Sequence, residues 1–233
     1  MPCALGIDAV SSATRFDRPR LAAALAAGLQ ALALALNPAQ QAQLLDYLEL
    51  LARWNRTYNL TAVREVEAMV TRHLLDSLVL LAHLRGDTLA DLGSGAGLPG
   101  IPLAIAAPQR RVLLVESNGK KARFLRTVQR ELGLTSVEVC EQRAQAGPAN
   151  GVGVAEVTAR ALASLADLCA LARPWLADNG RLLALKGPGW QAESHALPAD
   201  WRIDASHQLT VPGLDAGRQL VILAGSGAHS RTP

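Results

Sequence analysis

Apolar and polar positions follow two rhythms along this chain, and the change comes near residue 86. Before it the spacing is helical. Leu21, Leu25, Leu29, Leu32 and Leu36 fall on one face, which predicts an amphipathic packing helix over 21–36. Asn37-Pro38 opens a second helix with Leu44, Leu45, Leu48 and Leu51 as its stripe. A turn at 58–61 leads into a third, expected from about Glu65 to His83. Beyond Gly86 short apolar runs alternate with helical segments. Strands are expected at 88–92, 111–116, 136–140, 154–158, 181–186 and 218–224, with a weaker one near 202–210. Helices fit between them at 99–107, 118–132, 162–177 and 190–196. Such alternation predicts an α/β fold with a doubly wound, mostly parallel sheet and an antiparallel last strand in a terminal hairpin-like pair. Three regions follow: a flexible arm (1–20), a helical N-terminal region packed on the core (21–84) and a sheet domain (85–233).

Composition adds bounds. The chain has 233 residues, half of them hydrophobic but only 3% aromatic, so its core is built from Leu, Ala and Val. A net charge of +3 and a pI near 9.0 lean mildly toward polyanionic partners. Cys3, Cys140 and Cys169 are odd in number and lack metal spacing, as expected of thiols in a reducing, cytoplasmic compartment. Histidines 73, 83, 195, 207 and 229 are scattered, and no metal site is expected. Basic residues 15, 18 and 20 precede the 21–36 stretch as in a signal peptide. They sit late, and the apolar run is too short to span a membrane, so no membrane partner is expected. Nothing in the sequence suggests more than a monomer.

The segment Asp91-Leu92-Gly93-Ser94-Gly95-Ala96-Gly97-Leu98-Pro99-Gly100 carries the chemistry. A buried strand enters it, glycines 93, 95 and 97 permit positive φ and close backbone approach, and Pro99 and Pro102 suit the first turn of the next helix. Gly95-x-Gly97-x-x-Gly100 also fits the dinucleotide fingerprint, with Glu116 about twenty residues on. Asp91 argues instead for S-adenosylmethionine (SAM). A carboxylate there favours an amino group and a sulfonium cation and would repel a pyrophosphate. Glu116, closing the second strand, is placed to accept the ribose hydroxyl protons.

Other candidates are less decided by the residues themselves. Arg143, Ala144 and Gln145 follow the third strand, either as an ordinary polar loop or as a loop over an adenine ring. Arg160 ends the fourth strand at the carboxyl edge, where ligands bind. Lys186, in Lys186-Gly187-Pro188-Gly189, is a cation on the same edge or part of a simple turn. Arg72 and Asp76 stand one helical turn apart, a natural ion pair, with His73 beside them as a structural or ligand-facing histidine. Arg123, Arg126 and Arg130 share one face of the 118–132 helix, either as a phosphate-binding stripe or as a solvated face, and Arg110 and Arg111 add local charge.

Taken together these segments resemble one family, RsmG or GidB. The resemblance rests on Trp54-Asn55-Arg56-Thr57-Tyr58-Asn59-Leu60-Thr61, Arg72-His73-Leu74-Leu75-Asp76-Ser77, the run 91–102, Gly119-Lys120-Lys121-Ala122-Arg123-Phe124-Leu125, Arg160-Ala161-Leu162-Ala163-Ser164 and Leu185-Lys186-Gly187. It implies a class I SAM-dependent methyltransferase acting on N7 of guanine 527 in 16S ribosomal RNA of the small subunit. It also implies cofactor contacts at Gly93, Leu98, the Ala144-Gln145 pair and Arg160. Relatives often carry an acid where Gln145 stands. His73, Asp76, Arg143 and Lys186 are the candidates for positioning the guanine or the RNA. The competing expectations are an NAD-dependent oxidoreductase and a non-catalytic RNA- or nucleotide-binding protein.

Overall fold

The computed structural model of the protein describes residues 16–160, 163–215 and 217–225. Most of the expected arm, with Cys3, lies outside the described residues, as do Ala161, Leu162 and His229. Helix α1 (Arg18–Ala31) opens three residues earlier than the periodicity suggests, because the Asp17 carboxylate caps the Arg20 N–H and Pro19 suits the first turn. It ends five residues sooner than expected. Ala33 takes a left-handed φ of 53°, and its N–H and that of Leu34 bond back to the Gln30 and Leu29 carbonyls. This is a Schellman stop built on alanine where glycine is the usual signal. Helix α2 (Pro38–Tyr58) starts with a reciprocal Asn37–Gln40 capping box. The third helical stretch, 66–83, is continuous but changes pitch. It is α-helical in α3 (Val66–Met69), π-helical over Val70–Leu75, α-helical in α4 (Asp76–Leu78) and 3-10 over Val79–His83.

The sheet follows with β1 (Thr88–Leu92), α5 (Gly100–Ala106), β2 (Arg111–Val115), α6 (Gly119–Glu131), β3 (Val137–Cys140) and β4 (Val154–Arg160). After these come α7 (Leu165–Ala172), β5 (Leu176–Lys186), α8 (Gln191–Ser194), β6 (Trp201–Leu209) and β7 (Arg218–Gly225). The long helix expected over 162–177 is therefore cut short. Ser164 caps α7, a 3-10 turn covers Arg173–Trp175, and β5 begins at Leu176. Strand order is β3-β2-β1-β4-β5-β7-β6; the first five are parallel, and β7 inserts antiparallel between β5 and β6.

Within these apolar strands alternate residues serve different cores. Leu89, Val112, Leu114, Leu183 and Leu220 face one apolar cluster with α1, α2, the 66–83 stretch, α5 and α6. Ala90, Leu113, Val157, Leu182 and Val221 face another with α7 and Trp175, Trp190 and Trp201. The period-2 pleat thus divides apolar runs between two faces that are both buried. The N-terminal helices share their core with the sheet. On α1, Gly28 lets Leu75 seat against the backbone, since a Cβ there would meet Leu75 Cδ1 at 2.2 Å.

Candidate functional site at the carboxyl edge of the sheet

Strands β1, β2, β4 and β5 all end on one edge, and antiparallel β7 begins there, with Gln219 opposite Lys186. This edge falls into two halves of opposite charge.

The first half is the turn after β1. Gly93, Gly95 and Gly97 have φ of 68°, 58° and 90°, values that glycine adopts without strain. Backbone bonds from the Gly93 and Ser94 N–H groups to the Val115 carbonyl join the turn to β2. The Tyr47 hydroxyl, fully buried on α2, donates to the Ala96 carbonyl at 2.8 Å. A Cβ on Gly95 would find only the Gly93 carbonyl oxygen, at 3.7 Å, so the backbone there is open to a ligand.

Glu116 lies at the end of β2, largely buried. Its Oε2 accepts from the Gly95 N–H (2.9 Å) and its Oε1 from the Asn118 N–H (2.8 Å). Each oxygen keeps acceptor capacity for a hydroxyl. Asp91 is fully buried beneath the turn rather than displayed above it. Its Oδ2 accepts from the Gly100 N–H at 2.9 Å, anchoring the start of α5, while Oδ1 has no partner. Burial raises its pKa to about 7, against the lowering effects of the Gly100 hydrogen bond and the Arg160 charge. Gly100 is required here, because a Cβ would meet Leu114 Cδ2 at 2.3 Å and Asp91 Oδ2 at 2.8 Å. Leu98 is buried in the same turn.

The second half is a cavity of about 480 Å³ whose lining includes Thr61, His73, Asp76, Arg160, Lys186 and Arg218. Asp76 is buried, and its two oxygens divide between two arginines. Arg160 Nη1 donates to Oδ2 and Arg218 Nε to Oδ1, both at 2.9 Å. The expected Arg72–Asp76 pair is therefore not made. The π-helical turn carries i→i+5 bonding, so residues four apart no longer stack. Arg72 is exposed while Asp76 points inward. Arg72 contributes its carbonyl instead, which accepts from Arg160 Nη1.

His73 is also buried. Its Nε2 lies 2.9 Å from Thr61 Oγ1, an atom that already accepts the Val63 N–H, and its Nδ1 has no hydrogen-bond partner of normal geometry. Burial lowers the imidazole pKa to about 4, with the Arg72 backbone acting the other way and the Arg160 charge lowering it further. It is a neutral ring at physiological pH. Lys186 Nζ bonds the Ala163 carbonyl (2.9 Å) and Glu193 (2.8 Å), so it ties β5 to α8 more than it offers a free cation.

The remaining candidates are spread out. Arg143, just before the 3-10 turn Ala144–Ala146, and Gln145, within it, are exposed, and the Ala144 carbonyl accepts from Trp175 Nε1. Arg123, Arg126 and Arg130 are exposed on α6 as expected, with Arg126 paired to Glu141 at 2.6 Å. Arg110 does not add surface charge. It turns inward with Arg181 onto Glu156, which is buried and also accepts the Arg85 and Gly86 N–H groups. Among the described residues, no group of three or more His, Cys, Asp or Glu could hold a metal ion, and no helix is long and apolar enough to cross a membrane.

Sequence reasoning missed Tyr47, Thr61 and Arg218. Arg218 had a usable signal: an antiparallel last strand starts at the carboxyl edge, so a charge opening that strand belongs to the site. Tyr47 had none, since it sits in an ordinary apolar stripe.

Comparison with known proteins bears on the fold and the family. A crystal structure of a MtNAS mutant in complex with S-adenosylmethionine shares the fold, with a TM-score of 0.54 at 18% identity, covering 80% of this chain and 79% of that one. The chain is 54% identical over 205 residues to ribosomal RNA small subunit methyltransferase G of Xanthomonas campestris pv. campestris (strain 8004), covering 88% of this chain and 95% of the relative. It is 48% identical over 210 residues to the protein of that name from Nitrosospira multiformis, covering 87% and 97%. The family model described as rRNA small subunit methyltransferase G matches residues 40–222, and the chain belongs to this family, GidB.

Proposed function

We propose that this protein transfers the methyl group of SAM to N7 of guanine 527 in 16S ribosomal RNA of the small subunit. Family membership sets aside the oxidoreductase and the non-catalytic binding protein. The observation that carries the reading is the division of charge along one sheet edge. Acids and open backbone lie at the glycine turn, and a cavity with Arg160 and Arg218 lies beside it.

The residues present fit the cofactor. Gly95 leaves its backbone open, Glu116 keeps lone pairs for the ribose hydroxyls, and Asp91 holds a buried oxygen without a partner close to the turn. Gly93, Leu98, Ala144, Gln145 and Arg160 are the further contacts this reading assigns. When bound, SAM supplies a methyl group activated by a sulfonium cation.

Guanine N7 carries an in-plane lone pair, so no proton has to leave before attack and no general base is required. His73, with a pKa near 4, is a poor base at neutral pH and serves as a fixed neutral wall of the cavity. The chain's task is orientation, holding reacting atoms about 3–3.5 Å apart, which contributes up to roughly 7–11 kcal/mol in favourable systems. Positive charge moves onto the base during transfer, so guanidiniums at the reacting atom would oppose it. Arg143, Arg160 and Arg218 are therefore assigned to phosphates, the guanine O6 edge or the cofactor carboxylate, and Lys186, engaged with Ala163 and Glu193, to supporting that wall.

The test is mass spectrometry of 16S RNA from a deletion strain, with labelled-SAM transfer by the purified protein onto that strain's subunits. Loss and restoration of N7-methylguanine at the one position is the expected result, and unchanged RNA overturns the reading. Arg160→Ala is expected to weaken RNA or SAM binding. A purely kcat defect with both affinities intact would contradict its assignment.

A further inference from the structure

Aromatic side chains are scarce in this chain, and nearly all of them are in or against the core. Of two tyrosines, Tyr47 is fully buried, whereas Tyr58 is 41% exposed, the one exposed aromatic among the described residues. It is held in place by a stack. The Trp54 ring lies 5.2 Å from Tyr58, one turn earlier on α2, and 5.5 Å from the buried Phe124 of α6. Arg64 ties the end of α2 to the following loop, donating to the Asn55 carbonyl and to Asn59 Oδ1.

Helices α2 and α6 run antiparallel. Gln43 reaches the Leu132 carbonyl at one end, and Trp54 meets Phe124 further along. The Trp54–Phe124 contact sets the last turns of α2 beside the N-terminal half of α6, the half that carries Lys120 and Lys121. Those two lysines, together with Arg56 and Arg123, make no salt bridge among the described residues. Three residues beyond Tyr58, Thr61 lines the cavity and meets His73. An exposed aromatic packed on Trp54, with unpaired cations on neighbouring turns of α2 and α6 and a cavity-lining residue three positions on in the chain, has the chemistry of a single-stranded RNA surface. Bases stack on the ring, and the phosphates meet the cations.

We propose that Tyr58, backed by Trp54 and Phe124, is a stacking platform for an unpaired base of the substrate RNA next to the methylated guanine, with Lys120 and Lys121 engaging the adjoining phosphates. This inference rests on the rRNA methyltransferase reading above.

The experiment measures methyl transfer onto unmethylated small subunits, binding of protein-free 16S RNA and SAM affinity for the wild type and for Tyr58→Ala, Tyr58→Phe, Tyr58→Trp, Lys120→Gln/Lys121→Gln and Val152→Ser. Tyr58→Ala raises KM for subunits roughly tenfold and weakens RNA binding to match, while kcat, SAM affinity and the salt dependence of binding hold. The aromatic replacements rescue it. The double lysine variant lowers the slope of log K against log salt by about 1–2. Val152→Ser, at the other large exposed hydrophobic among the described residues, behaves as wild type.

Wild-type KM in Tyr58→Ala overturns the proposal. So does a loss seen on subunits but not on protein-free RNA, which assigns the surface to a ribosomal protein. A shift in sedimentation on Tyr58→Ala overturns it in favour of a second copy of this chain. Should the wild type transfer no methyl group to subunits, the rRNA reading itself fails, and that result is distinct from all of these.

Discussion

The two halves of the site are built by different means. At the glycine turn, backbone does the work. Gly93, Gly95 and Gly97 occupy positive φ, and Glu116 and Asp91 each grip amide hydrogens nine to twenty-one residues away. In the half lined by arginines, long side chains do the work. One buried carboxylate, Asp76, holds Arg160 and Arg218, which lie 84 and 142 residues off in sequence. The first half is a local backbone shape that tolerates no Cβ at Gly100. The second is a charge constellation whose parts have no meaning until the fold assembles them. Mutations should therefore separate cofactor binding from acceptor handling.

The largest effect is expected from Asp76→Ala. It leaves two guanidiniums at the cavity without their shared carboxylate, a loss of roughly 3 kcal/mol, the low end for a broken buried pair because both arginines are about a quarter exposed. Urea unfolding reads the stability. Methyl transfer should fall by about a hundredfold, while SAM affinity, which depends on this half only through Arg160, falls several-fold at most. An equal loss of SAM binding would erase the distinction between the halves.

Gly100→Ala probes the other side. Its methyl group would overlap Leu114 and the Asp91 carboxylate, costing about 1–3 kcal/mol and displacing the turn. Titration calorimetry should show SAM binding weakened more than tenfold, with RNA affinity retained.

The smallest effect is a pH dependence confined to the cofactor half. With its pKa raised to about 7, Asp91 stabilises the ligand-free fold when protonated, and that contribution is lost as pH rises from the ordinary carboxylate range through 7. A cationic cofactor favours the ionised form, so SAM affinity should strengthen as pH rises through 7, by at most tenfold per unit. Asp91→Asn should flatten the profile. A wild-type affinity that is level from pH 6 to 8 would remove Asp91's charge from the argument.

The comparison also explains what could be read in advance. Strands β1, β2, β3 and β7 fall within a residue of the apolar runs that announce them, because a strand buried on both faces is legible as a short apolar stretch between turns. The turn after β1 is equally plain, since its glycines are demanded by backbone conformation at their own positions. Ala33 ending α1 was hidden, because alanine in a left-handed conformation carries no stop signal. The π-helical turn was hidden too, and with it the rotation that sends Asp76 inward and Arg72 out. Arg110 read as surface charge because its partner, Glu156, belongs to another strand.

The amino-acid sequence by itself determined the alternation of strands and helices, the shape of the turn after β1 and the acid that closes β2. These depend on residues near one another in the chain, where periodicity and φ are set locally. Tertiary structure alone decided which charges meet. Asp76 stands opposite Arg160 and Arg218, and Arg110 opposite Glu156, only once β4 and β7 are brought into place. Pairing of buried charges depends on distance through the folded core, and that distance is not written in sequence separation.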